Sequence, residues 1–395
     1  MKKYFFMAAM LLTGALGFVA CSDDKNENKG TEDEVQSALV CVEQIIDGCM
    51  DIANEVGNAK IGDPYDLYQH GQQQQALYAV ESWYSWHSID DYTNNIISIR
   101  NAYYGSRDGK AAVSSLCSLM ATANPALDQL VRSTIESAIT AIQSIPAPFR
   151  NNISAPEVRT AMEVCAELEE VLGNLKGYLQ RNDALSTDAV LQPILENYVN
   201  KVVLPTYSDL LRANTALYQA AQAFQKNPGN AAFEACCEAW FNAREPWETS
   251  EAFLFGPVDA LGLDPNMDSW PLDQEAIVNI LNSGKFDNLT WSDADSDDQI
   301  EAVQSVRGFH TMEFLIFKDG KARTLTDGTS TDFADLDYTS SNAVSWGNYM
   351  VQVGYLLQKD AQELYNSWTK SYEGGKAYKD LFLSHEIETG DEEDE

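Results

Sequence analysis

The sequence predicts an all-α fold, and three observations support this class. Apolar residues recur at helical spacing along most of the chain, whereas the alternation typical of strands is nearly absent. Ser296 and Gln299 form a capping box ahead of a helix that begins near Ile300. About ten helices fit the chain, which is enough for two bundles. The longest predicted helices lie within Val35 to Val56, Ala126 to Ile145, Glu157 to Leu179, Ala189 to Phe224, Ala231 to Phe255 and Ala343 to Tyr365.

Caps and breakers predict where helices begin and end. Ser88 and Asp91 form a second capping box ahead of a helix that Gly105 terminates. The Pro-Ala-Pro sequence at 146–148 interrupts the first half of the chain, and the irregular stretch 256–271 interrupts the second.

These signals predict two four-helix-bundle-like halves that pack against each other. The first bundle is predicted over residues 35–190 and the second over 191–385, each of ordinary domain size. Because ligand sites often lie between domains, we expect the site in a cleft between the two halves.

The N-terminus predicts export and lipid attachment. Residues 1–20 contain two early lysines and an apolar core too short for a spanning helix, and they end directly before Cys21. This pattern is typical of a bacterial lipoprotein signal cleaved before Cys21; the alternative is a plain secretory signal with an incidental cysteine. Residues 22–25 resemble an acidic tag for surface export. The expected location is the cell envelope, anchored by lipid to the outer membrane and facing either the periplasm or the surface.

The chain is strongly acidic, with 26 Lys and Arg against 60 Asp and Glu and a formal net charge of −34. This charge repels phosphate backbones, so nucleic acid is excluded as an expected partner. Part of the charge lies in a predicted flexible tether over 21–34 and a predicted disordered tail over 386–395. The remainder suits a protein that binds cations, but it equally suits any exported protein.

Six further cysteines form no Cys-x-x-Cys pair, so the sequence does not support a zinc ribbon or a redox motif. We interpret most of them as small buried apolar residues. They are Cys41, Cys49, Cys117, Cys165, Cys236 and Cys237.

The most informative segment is the apolar run 308–317, which contains His310 and Glu313. On a helix the three-residue spacing places both side chains on one face, where they could share a metal ion. Arg307 extends this polar row by one turn. Charged groups on a buried helix require partners or a ligand, and a structural ion-pair network is the alternative to a functional site.

Two other segments carry polar groups that could complete a site. Arg244, Glu248 and Glu251 fall on one stripe of a helix, next to Trp247. The segment 82–91 is dense in aromatic and hydrogen-bonding residues, although core packing and helix capping explain those residue types equally well.

These segments together resemble the imelysin family. Gly308-x-His310-x-x-Glu313 is similar to the family's Gly-x-His-x-x-Glu signature, and 244–257 followed by 269–273 resembles the segment that precedes the signature there. Residues 85–105 and 124–149 resemble the other half of the family's fold. That half usually follows the signature, so this chain resembles a circular permutation of the usual order.

The resemblance implies an all-helical envelope protein of two related bundles that is connected with iron acquisition. We predict a non-catalytic protein that binds iron, another cation or an iron-bearing ligand in the cleft, with iron or zinc as the expected metal. The expected partners are that ligand, the membrane through the Cys21 lipid, and an outer-membrane uptake protein. The predicted metal ligands are His310, Glu313, Glu251 and His87, and the predicted ligand-binding residues are Arg244, Arg307, Glu248, Ser85, Ser88, Asp91 and Trp247.

Two alternative functions were weighed. Family members were first classed as peptidases, and a metal-dependent peptidase would use His310 and Glu313. Such an enzyme needs three protein ligands and a general base, and the His-Glu-x-x-His signature is absent, so no catalytic residue is assigned. Haem binding is less favoured, because the chain has only 4 histidines.

Overall fold

The computed structural model describes residues 36–286, 289–292, 294–325, 338 and 342–387. The predicted signal peptide, the tether with Cys21 and most of the acidic tail lie outside the described residues.

Helices dominate the described chain, so the all-α prediction is confirmed. The first part contains α1 (Ala38–Glu55), α2 (Gly62–Gln69), α3 (Gln73–Ala79), α4 (Ser88–Tyr104), α5 (Leu116–Ala123), α6 (Pro125–Gln143), α7 (Pro156–Gln180) and α8 (Asp188–Tyr198). The second part contains α9 (Leu204–Lys226), α10 (Asn230–Glu248), α11 (Pro257–Ala260), α12 (Leu263–Asp268), α13 (Gln274–Ser283), α14 (Asp297–Gln304), α15 (Gly308–Ile316), α16 (Ala343–Thr369) and α17 (Tyr378–Leu383). A short antiparallel hairpin, β1 (Phe317–Lys318) and β2 (Lys321–Ala322), follows α15.

Two groups of four helices form the framework. Helices α1, α4, α6 and α7 pack against one another, and α9, α10, α15 and α16 form the second group. The groups meet where α4 contacts α10 and where α1 contacts the 3₁₀ turn Glu251–Phe253. The described residues from 36 onward form one compact unit.

One π-helical segment extends a predicted long helix, and another interrupts a second one. Residues Val56–Lys60 continue α1 as a π turn, and Val199–Val203 join α8 to α9 in the same way. Such turns shift the helix face by part of a turn and are frequent at functional sites. The first of them places Lys60 in the interior, where it is 8% exposed.

Helix α15 is buried on every side, and side chains from α10 and α16 hold its backbone. Trp240 donates its indole N–H to the carbonyl of Phe309 over 2.9 Å, and Trp346 donates to the carbonyl of Leu315 over 2.9 Å. Buried indole N–H groups require such acceptors. These bonds fix the position of a nine-residue helix that is too short to be stable alone.

The six described cysteines are all free and buried, which confirms their interpretation as core residues. Among the described residues, no helix combines the length and apolarity that crossing a membrane requires.

Gly308 begins α15 at φ +86°, and a Cβ atom there would lie 2.5 Å from the carbonyl oxygen of Met267. We predict that Gly308→Ala lowers the free energy of unfolding by about 2–5 kcal/mol, because it adds a steric clash to the backbone strain. Gly284→Ala is the control: its φ is +64°, but its Cβ would lie 3.7 Å from the hydroxyl of Ser345, which is ordinary van der Waals contact. Urea unfolding would measure both variants, and equal losses would contradict the role of the Met267 contact.

Candidate metal centre

His310 and Glu313 lie side by side on α15, as their spacing predicted. His310 Nδ1 is 2.9 Å from Glu313 Oε2, and both side chains are completely buried. Because an ionised carboxylate only accepts hydrogen bonds, Nδ1 carries the proton in this pair. The other ring nitrogen, Nε2, therefore faces away from Glu313 and is the nitrogen available to a metal.

Glu313 is fully occupied by protein donors. Its Oε1 accepts hydrogen bonds from the backbone N–H of Tyr84 over 3.0 Å, the N–H of Ser85 over 2.7 Å and the Ser85 hydroxyl over 2.7 Å. With Oε2 on His310, both oxygens have partners. The geometry gives Glu313 the role of a carboxylate that orients the imidazole of a metal ligand.

His310 Nε2 faces two carboxylates that come from other parts of the chain. It lies 3.2 Å from Asp268 Oδ1 and 3.5 Å from Glu81 Oε1. One nitrogen and two oxygens converge here, with the three ligand atoms all within 4.8 Å of one another. The indole of Trp270 packs against the imidazole with ring centroids 4.8 Å apart. This donor set fits a divalent cation of the iron or zinc type.

Two permanent cations lie beside these carboxylates. Arg244 forms ion pairs with Asp91, Glu248 and Asp268. Lys60 lies on the π turn after α1, and its Nζ is 3.2 Å from Glu81 Oε2.

Buried carboxylates nevertheless outnumber these cations. Five carboxylates interact with Lys60 or Arg244, and a sixth interacts with His310, so carboxylates outnumber the three basic groups of the cluster two to one. Uncompensated charge in an interior is costly, and a bound cation or retained protons would reduce the cost. The six are Glu81, Asp91, Glu248, Glu251, Asp268 and Glu313.

Glu251 lies in the same interior, but no described residue pairs with its carboxylate. It is 6% exposed, and its carboxylate makes no hydrogen bond or ion pair with any described residue. With Glu248 and Asp268 it forms a second group of three possible ligands, whose atoms also lie within 4.8 Å of one another. Asp268 belongs to both groups, so the two candidate positions adjoin.

Charge and burial shift the pKa values of the buried groups in different directions. Burial lowers the pKa of His310, but Asp268, Glu313 and Glu81 outweigh it and hold the pKa well above the usual value. Burial raises the pKa of Glu81, but Lys60 and His310 lower it to about 2. Burial and neighbouring carboxylates raise the pKa of Glu251 despite Lys60.

The structure places two predicted site residues away from His310. His87 Nδ1 pairs with Asp90 at 3.1 Å, and its ring packs on Phe241. Arg307 precedes α15 instead of continuing its polar row, because its guanidinium turns to Asp360 and to the carbonyl of Leu289.

The predicted capping box at Ser88 and Asp91 is wrong. Helix α4 begins at Ser88, so His87 occupies the cap position. The Ser88 hydroxyl donates a hydrogen bond to the carbonyl of Glu81 over 2.6 Å. Asp91 accepts a hydrogen bond from the Ser82 hydroxyl and forms an ion pair with Arg244. Both residues therefore hold the segment that carries Glu81.

Other predicted ligand-binding residues also support the centre. Trp247 donates its indole N–H to Asp268 Oδ2 over 2.6 Å, and Asn95 donates to Glu248 Oε2 over 2.5 Å. Sequence reasoning missed Glu81, Asp268 and Lys60. The first two directly adjoin segments that were singled out, 82–91 and 269–273, and this adjacency was the available signal.

The fold and the site define an all-helical protein with a buried cluster of imidazole and carboxylate groups, a candidate cation site, beside the junction of two bundles. The chain belongs to the imelysin family, whose model matches residues 22–175 and 203–395.

Two relatives place the chain within this family. A crystal structure of an imelysin peptidase from Bacteroides ovatus is 57% identical, covers 75% of this chain and 85% of that one, and superposes with a TM-score of 0.74. Iron-regulated protein A of Synechococcus elongatus is 31% identical over 204 residues, which are 52% of this chain. The match spans 46% of that relative, about half its length.

Asp264 gives the metal-free protein a pH dependence. Burial, Asp268 and Glu55 raise its pKa to about 7 in the fold, above the value of about 3.9 expected for an unfolded chain. The resulting stabilisation is present below the unfolded pKa and is lost as pH rises through about 7.

In chelator, we therefore expect the melting temperature to fall between about pH 5 and about pH 8, and to fall less in Asp264→Asn. Thermal melts across this range would measure the slope, with Glu170→Gln, an exposed carboxylate on α7, as the control. A wild-type melting temperature that rises with pH would contradict the assignment.

Proposed function

We propose that this protein is a non-catalytic imelysin-type protein that binds iron or a similar divalent cation through His310, Glu81 and Asp268. The observation that carries the proposal is the convergence of two carboxylates on His310 Nε2, which is buried and has no hydrogen-bond partner among the described residues. The name of the cyanobacterial relative, iron-regulated protein A, supports iron as the cation.

The donor chemistry suits iron(II) or zinc better than magnesium or calcium. Imidazole is a ligand for iron and zinc, whereas magnesium and calcium prefer oxygen alone. Two carboxylates supply the charge that neutralises a divalent ion. A bound ion would interact directly with Asp268 and Glu81 and would take the place of the proton on His310 Nε2.

Burial favours binding over peptide hydrolysis. The side chain of His310 is completely buried, and those of Glu81 and Asp268 are 9% and 4% exposed. A small cation can reach such a site through local motion, whereas a peptide bond needs an open cleft beside the metal. The relative described as an imelysin peptidase keeps metal-dependent hydrolysis as the second candidate.

The envelope location completes the proposal. Cleavage before Cys21 and lipid attachment there would tether the helical unit to the outer membrane through the acidic segment 21–34. Mass spectrometry of protein extracted from native membranes tests this point, since an unmodified N-terminus at another position would contradict it.

We expect His310→Ala and Glu81→Gln each to weaken Fe²⁺ or Zn²⁺ binding by more than about 100-fold, because each removes a direct ligand. Calorimetry on chelator-treated protein, anaerobic for Fe²⁺, would measure the dissociation constants. His70→Ala is the matched control, since His70 is exposed and its Nδ1 lies 2.7 Å from the carbonyl oxygen of Asp66, four residues earlier on α2. Wild-type affinity in both site variants would refute this ligand set.

Glu313→Gln separates orientation from ligation. Since Glu313 holds Nδ1 and does not face the cation, we expect its replacement to weaken binding by about 10–100-fold without abolishing it. X-ray absorption of the loaded variant should show the same number and type of ligands as the wild type. Loss of an oxygen ligand would instead make Glu313 a direct ligand, as the spacing on the helix first suggested.

Hydrolysis has its own test. The zinc-loaded protein is incubated with a peptide library, and cleavage products are identified by mass spectrometry. We expect no cleavage above the level of His310→Ala, because the centre is closed to peptides. Cleavage that disappears in His310→Ala would support a metal-dependent peptidase and contradict the proposal of a non-catalytic protein.

A further inference from the structure

A second polar pocket lies outside the metal centre, on the surface around the end of α4. Its volume is about 750 Å³, within the range of small-molecule sites. The last turns of α4, the loop 105–112, the junction of α8 with α9 and the end of α10 form its walls.

Basic residues are concentrated in this pocket although the protein is acidic. Arg100, Arg107, Lys110 and Lys201 line it, in a chain with 26 basic and 60 acidic residues. Arg107 is paired with Asp209 at 2.6 Å, whereas the other three make no ion pair with any described residue. Unpaired basic groups around a concave surface raise the local concentration of anions.

Two buried polar groups in the pocket also lack partners. Asn101 is 3% exposed, and its amide oxygen has no hydrogen-bond partner among the described residues. The same holds for the buried Nε of Arg100. Buried polar groups are normally satisfied, so each points to a polar ligand or to water in the pocket. The Asn101 amide suits a ligand hydroxyl, and the Arg100 guanidinium suits a carboxylate or phosphate.

The rim of the pocket is held in place by hydrogen bonds. Gly105 ends α4 at φ +60°, and its carbonyl accepts a bond from Asn197 Nδ2 over 2.7 Å. Ala112 N–H donates to the carbonyl of Tyr104 over 2.8 Å, which closes the loop. A rim that is already ordered reduces the entropic cost of binding.

Two acidic residues limit the kind of ligand. Asp108 and Glu245 also line the pocket, and Asp108 accepts hydrogen bonds from the Ser106 hydroxyl and the Lys110 N–H. These two carboxylates would repel a ligand that is anionic on every side. A ligand that places its anionic groups against the basic residues and its hydroxyls against the carboxylates would fit.

We propose that this pocket binds a small hydroxylated polyanion, with Arg100, Lys110 and Lys201 contacting its anionic groups and Asn101 its hydroxyl. The shared chemistry is two or more oxyanion charges, supplied either by carboxylates or by phosphates. Its walls include Glu245 and Thr249, whose neighbours Arg244 and Glu248 face the metal centre. The two sites therefore lie on adjacent faces of the last turns of α10.

Calorimetry on metal-free protein with citrate, a hydroxylated polycarboxylate, and with fructose 1,6-bisphosphate, a hydroxylated bisphosphate, tests the proposal and separates the two sources of charge. We expect at least one of them to bind, and Lys201→Glu to weaken that binding by about tenfold or more. Binding should also weaken as salt screens the basic groups. If neither anion binds the wild type, the proposal is overturned.

Lys226→Glu is the matched control, because Lys226 is exposed on α9, does not line the pocket and undergoes the same change in charge. If both variants weaken anion binding equally, the change in the protein's net charge explains the loss, and the proposal is overturned. Arg100→Gln, checked for folding by circular dichroism, provides a second variant with the same expected loss. Lys201→Glu should leave Fe²⁺ affinity within about twofold, since Lys201 does not contact the metal centre.

Discussion

The burial of an uneven set of charges beside the junction of the two bundles is the constraint on which the rest of the structure depends. Ionised groups in an interior cost several kcal/mol each unless they are paired. Arg244 reduces this cost by forming ion pairs with three carboxylates. Lys60, on a π turn, extends into the same cluster. Both bundles contribute, because Glu81 comes from the first half and Asp268 from the second. The charged cluster thus forms contacts between the two halves.

Hydrogen bonds within the protein hold His310 and its helix in position without a cation. Helix α15 is held from outside by indole bonds to its carbonyls, and from within by Glu313, which receives three donors from the Tyr84–Ser85 segment. The hairpin after α15 adds a further link, since Gly320 N–H donates to the carbonyl of Tyr84 over 2.9 Å. Ligand groups that cannot relax favour an ion of one size and charge over others.

Sequence reasoning predicted the helices and the helix-borne pair, because both follow from local periodicity. His310 and Glu313 are three residues apart, so their contact needed no knowledge of the tertiary fold. Glu81 and Asp268 are both far from His310 in sequence, and no local periodicity brings the three residues together. The predicted position of Arg307 on the polar row differs from the structure for another reason. Helix α15 begins one residue after Arg307, so the side chain does not follow the helical spacing, and sequence patterns do not define helix ends to within one residue.

The six buried cysteines have a consequence for how the protein behaves when it opens. Burial raises the pKa of each thiol, so the reactive thiolate is scarce in the folded state. None of these six cysteines is bonded to another. Alkylating reagents should therefore modify these thiols only in molecules that have opened. Because cysteines lie in both bundles, the order in which they are alkylated would show which half of the protein opens first.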